Sequence, residues 1–136
     1  MALIKDEKGS VLILTILLLP LILGFIGISI DVGYLMHQKA QLDAATEAAG
    51  RSTILLAYDK DIWNSQKKVV IDEELAKEKA SLMLKDNFEN AKLDELTVLG
   101  DSKIKVETSV EVKFFFMKIF GFTSREINTH QIFSGG

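Results

Sequence analysis

Four patterns of apolar and polar residues succeed one another along the chain. Val11 to Ile30 is an unbroken run of twenty uncharged residues, VLILTILLLPLILGFIGISI. At about 1.5 Å of rise per residue, a helix of that length crosses a hydrocarbon layer of about 30 Å. Its interruptions, Thr15, Pro20, Gly24, Gly27 and Ser29, are residues that membrane helices accept. A core helix would instead show a polar stripe. A cleaved secretory signal would have a shorter apolar core followed by a small-residue site, and Asp31-Val32-Gly33-Tyr34 offers none. Residues 10–30 are therefore expected to form a retained membrane span, with 1–9 as a tail and 31–136 as an outer domain.

The second pattern is helical. Good helix formers continue past Asp31 with no proline, which predicts one helix from about Ser10 to about Tyr58, on the order of 70 Å long. Leu35, Leu42, Ala49 and Leu56 recur every seven residues, and Gln38, Ala45 and Ser52 occupy the position three further on. Ala40, Ala44 and Ala48 make another stripe at four-residue spacing. Small side chains at Ala40, Ala44, Ala45, Ala48 and Ala49 suit close helix packing, against the domain's own second helix or against a neighbouring subunit.

Polar, irregular residues from Asp59 to Lys68 predict a turn, with Trp63 packing on the core edge. Residues 72–88 then read as an amphipathic helix, acidic at its start, with Ile71, Leu75 and Leu82 at the centre of its apolar side and Ala76, Met83 and the stem of Lys79 widening it. Lys77 lies at ion-pair spacing from Glu73 and Glu74. Leu84 and Phe88 fall elsewhere on the wheel. After Leu96 the period becomes two: Ile104, Val106, Thr108, Val110, Val112 and Phe114 alternate with Lys103, Lys105, Glu107, Ser109, Glu111 and Lys113. With Leu96 to Leu99 before it and Arg125 to Phe133 after it, this predicts a meander of about three antiparallel strands. The fold class expected is α+β: a long N-terminal helix, a second amphipathic helix and a small antiparallel sheet.

The connection Phe114 to Phe122 contains five phenylalanines in nine residues. Part of that must be core. An ordinary solvated loop would not carry the rest, so Phe115, Phe116 and Phe120 are candidates for contact with a partner or with lipid.

Composition narrows the function. A net charge of -3 without a basic stripe argues against nucleic acid, and zero cysteines exclude disulfides and thiolate metal sites. His37 and His130 lie in different elements without metal-ligand spacing, and no nucleophile elbow or phosphate loop is present. We expect no enzyme, no catalytic or metal residue, no cofactor and no small-molecule substrate. Lys5 and Lys8 precede the span, with Lys39 as the nearest basic residue beyond it, so the tail is expected inside and the domain outside the cytoplasm. Asp31 would end the span with its carboxylate among headgroups and water, or else touch another subunit.

Gly9, Leu19-Pro20, Asp31-Val32-Gly33 and the Gln41 to Ala49 stretch, in this order and spacing, resemble the N-terminal domain of TadE/TadG-like pilus-assembly proteins. The resemblance implies a minor pilin-like or assembly component of a Flp-type tight-adherence pilus, or of a related secretion machine. Its partners would be membrane lipid, other pilin-like or pilus-platform proteins, and further copies of itself. Lys8-Gly9-Ser10 also resembles the cleavage point of type IV prepilins, which implies an alternative: a filament subunit cut between Gly9 and Ser10. The glutamate which that family carries at the fifth mature position is Leu14 here. A membrane-anchored binding or sensor module using the phenylalanine-rich segment is a third reading.

Overall fold

The computed structural model describes residues 2–57, 60–67, 70–100 and 102–135, and for residues 2–6 and 61–63 the backbone alone. The chain has two compact units, Met1–Leu35 with Lys113–Thr123, and Met36–Val112 with Ser124–Gly136. The elements make an α+β fold with a long N-terminal helix and a three-stranded antiparallel sheet.

Helix α1 spans Ala2–Leu56. It starts eight residues before the expected Ser10, because the tail ALIKDEKG is itself rich in strong helix formers. The expected end at Tyr58 lies outside the described residues. In the first unit the apolar part of α1 is exposed on nearly every side, with Leu17 at 69% and Phe25 at 64%. A helix of a soluble core would bury one stripe at least, so this is a candidate membrane span by its surroundings as well as by its length.

The second unit carries the hydrophobic core. Its part of α1 buries Leu42, Ala45, Thr46, Ala49 and Thr53 at helical spacing, and Ala57 is buried just beyond the helix end. The expected irregular turn contains a short helix, α2, Lys60–Gln66; the side chain of Trp63 lies outside the described residues. Helix α3 spans Glu73–Asn87 and is capped by Asp72, whose carboxylate accepts the N–H groups of Glu74 at 3.0 Å and Leu75 at 3.2 Å. Lys77 forms an ion pair with Glu73 one turn earlier, at 3.0 Å.

The buried side of α3 is Ala76, Ala80 and Leu84, while Leu82 is 53% exposed. Leu75 is half-buried against the core and Ile71 is buried, as the wheel expected; the corrections are Leu82, which faces outward, and Leu84, which the wheel set aside and the structure buries. Two alanines one turn apart let the helix backbone approach the sheet closely, and that approach decides which face is covered.

Strands β1 (Lys92–Leu99), β2 (Lys103–Lys113) and β3 (Ser124–Ser134) are ordered β1-β2-β3. Leu99 lies opposite Lys103 and Lys92 opposite Ser109, with a bulge between Leu93 and Glu95. Pairing resumes beyond the bulge, so β1 starts four residues before the expected Leu96, and Asp94 at the bulge accepts the hydroxyl of Ser109 at 2.9 Å. The core face of β2 is as the alternation predicts, with Ile104, Val106, Thr108, Val110, Val112 and Phe114 all buried, but Ser109, expected on the wet face, is buried as well, beside the bulge and its Asp94. Ala76 and Ala80 of α3 join Leu96, Ile104, Val106 and Phe133 of the three strands in one cluster. A Cβ on Gly50 would run into the Phe133 ring, so only glycine lets α1 lie this close to β3.

One polar pair is sealed inside this layer. The Thr46 hydroxyl reaches the Leu42 carbonyl at 2.7 Å and the Thr108 hydroxyl at 2.7 Å. Since the hydrogen of Thr46 is directed to Leu42, Thr108 donates to Thr46, and both buried hydroxyls are satisfied.

Candidate functional site

The first unit brings together two segments 84 residues apart in sequence. From Leu17 to Tyr34, one face of α1 is set by two interleaved seven-residue repeats: Leu17, Gly24 and Asp31, and Pro20, Gly27 and Tyr34. The residues at its centre are small, which leaves a shallow channel. The phenylalanine-rich connection sits on it at Gly27, while beside Gly24 the channel stays open.

Contacts descend the helix in order. The Phe115 ring meets Tyr34 edge-on at 5.5 Å. Asp31 Oδ1 accepts the Phe115 N–H at 3.0 Å, and Oδ2 accepts those of Phe116 at 2.8 Å and Met117 at 2.6 Å. The Phe116 side chain covers Gly27 so closely that a Cβ there would stand 2.9 Å from it. Deeper still, Phe120 lines a cleft with Leu17, Pro20, Leu21, Gly24, Phe25 and Ile28.

Asp31 thus caps a 3₁₀ turn, Met117–Phe120, whose own N-cap residue, Phe116, makes no side-chain capping bond. Successive N–H groups at the start of a helical turn form an anion site, and here a carboxylate from a distant element occupies it. Gly121 closes the turn with φ of 89°.

The carboxylate is fully covered, sealed by its immediate neighbours rather than by depth of protein, instead of lying among headgroups and water as expected. Burial is the largest single influence and pulls its pKa up. The N–H groups of Met117, Phe115 and Phe116, with the charge of Lys118, together outweigh it and hold the carboxyl below its ordinary value of 3.8.

The other residues singled out by sequence are dispersed. Gly9 and Ser10 lie within α1. Ala45 and Ala49 are buried in the second unit, Ala40 and Ala44 are exposed, and Ala48 is half-buried. His37 and His130 are exposed, and among the described residues no cluster of three or more His, Asp or Glu could hold a metal ion.

Sequence reasoning weighed Asp31 and the phenylalanines separately and missed that they meet. The available signal was the row of small residues at Gly24 and Gly27 on the Asp31 face. No curated protein and no solved structure matches the chain. Residues 9–53, about a third of the chain, match the family model described as "Putative Flp pilus-assembly TadE/G-like", and the match takes in the apolar run, Asp31 and the Gln41 to Ala49 stretch.

Proposed function

We propose that the chain is a single-pass membrane protein acting as a minor pilin-like or assembly component of a Flp-type pilus or a related secretion machine. The observation that carries this reading is the coincidence of the family match at residues 9–53 with the exposed apolar helix. The role is mechanical and non-enzymatic. Residues 11–30 hold the chain in the bilayer with the tail inside and residues 31–136 outside. Ala40 and Ala44, left open on α1, with the half-buried Ala48, present small side chains to another pilin-like or platform protein.

Deleting the chain in its native host tests the reading. Surface pili should disappear while the membrane pool of the major pilin stays constant, and sheared filaments from the complemented strain should contain little of the chain. Filaments composed mainly of this chain starting at Ser10 would make it the filament subunit instead. Normal piliation without it would remove the assembly role.

A further inference from the structure

We propose that Phe115 to Phe122 is a lipid-inserted aromatic wedge, folded against the apolar helix and buried in the bilayer leaflet nearest the outer domain. The proposal rests on the membrane-anchor reading above and adds a second lipid-facing segment to it.

Depth is the first argument. Phe116 sits on Gly27, and Phe120 lines the cleft that runs from Leu17 to Ile28. Gly24 is seven residues inside Asp31, about 10 Å along a helix axis. Where α1 is in hydrocarbon between Val11 and Ile30, Phe116 and Phe120 share its depth, within the range that interfacial apolar segments reach.

The second argument is the outward surface. Ile119 is 81% exposed, and Phe115, Phe120 and Phe122 are each more than half exposed. In water this would be a contiguous apolar patch with no cover. It continues the exposed apolar surface of α1, whose occupant on this reading is already lipid, so acyl chains rather than a second copy are its expected cover.

Third, the backbone is prepared for a medium without water, where every unpaired N–H is costly. Asp31 takes the N–H groups of Phe115, Phe116 and Met117. Phe114 donates to Thr123, Ile119 to Phe116, Gly121 to Lys118 and Phe122 to Met117, all at 3.2 Å or less. Lys118 is the segment's one charged residue, and its long stem lets the ammonium reach the headgroups while its charge opposes that of Asp31. The wedge thus fixes the depth of α1 by two attachments to the bilayer instead of one.

The chain has no cysteine, so single cysteines report position cleanly. We would place a polarity-sensitive fluorophore at Ile119→Cys, and separately at Phe122→Cys, in the full chain reconstituted into phosphatidylcholine and phosphatidylglycerol vesicles. Leu18→Cys serves as the span control and Lys85→Cys as the water control. Lipids brominated near the headgroup end or near the methyl end of the acyl chain supply the quencher.

The expected result is blue-shifted emission at 119 and 122, lost mainly to the shallow quencher, while position 18 is also quenched and position 85 is not. Quenching at 18 with water-like emission at 119 and 122 overturns the wedge and leaves the anchor standing. Blue-shifted but unquenched emission that fades as protein is diluted in lipid also overturns it, in favour of a second copy of the chain. No quenching at position 18 removes the anchor reading itself.

Discussion

Asp31 does with one carboxylate what a helix cap does with a neighbouring side chain, but it reaches across 84 residues of sequence to do it. Because its pKa is lowered, the contribution of the charged form is fully present above the ordinary value of 3.8 and is lost only as pH falls through the depressed value. Amide protection at Phe115, Phe116 and Met117, corrected for intrinsic exchange at each pH, should therefore persist past the ordinary value of 3.8 and be lost only at lower pH. Asp31→Asn should weaken the same three amides at neutral pH, since the carboxamide turns two donors toward a site built of donors. Protection in β2 should not change. Equal protection in the two proteins at pH 7 would mean that the turn holds itself and the carboxylate is incidental.

At the scale of elements, α3 separates composition from geometry. Centring the face on large apolar side chains includes Leu82, which is exposed, and leaves out Leu84, whereas the fully covered residues are Ala76, Ala80 and Leu84, with Leu75 half-buried at their edge. Leu84→Ala should cost about 2–5 kcal/mol, the range for emptying a packed leucine site. Leu82→Lys should stay within about 0.5 kcal/mol, as for an exposed position. Urea unfolding of the detergent-solubilised chain, read at the sheet, measures both; a larger loss for Leu82→Lys would restore the sequence wheel. The strands were far more legible. In β2 every residue that the two-residue period assigns to the core is covered, because alternation leaves only two choices of face; the exception on the other face is Ser109, buried at the bulge where its hydroxyl meets Asp94. A helix offers a continuum of faces, and small residues, which carry little hydrophobic weight, can win by permitting approach. The same blindness hid the channel at Gly24 and Gly27, and with it the meeting of Asp31 with the phenylalanines. That contact depends on tertiary packing of distant segments, for which no local period exists.

For the whole molecule, the burial pattern implies a division of labour that truncation can test. Every residue of the cluster formed by Ala57, Ile71, Ala76, Ala80, Leu96, Ile104, Val106 and Phe133 lies beyond Asp31, as do the Thr46–Thr108 pair and the α3 cap. The apolar run adds nothing to that core. A chain beginning at Asp31 should therefore keep its sheet and unfold cooperatively, with far-UV circular dichroism as the measure. It should not behave as a clean monomer. Without Leu17 to Ile28 beneath them, Phe116 and Phe120 also expose the sides that α1 covers, enlarging the apolar surface that Phe115, Ile119, Phe120 and Phe122 already present. An apolar patch of that kind drives association in water. Sedimentation should show concentration-dependent self-association, abolished by combining Phe115→Ser, Ile119→Ser and Phe120→Ser without loss of the unfolding transition. If the truncated chain lost its sheet, the core would depend on the span after all. If it folded and stayed monomeric with its phenylalanines intact, the connection would be able to cover its own apolar surface, and lipid would not be required to do so.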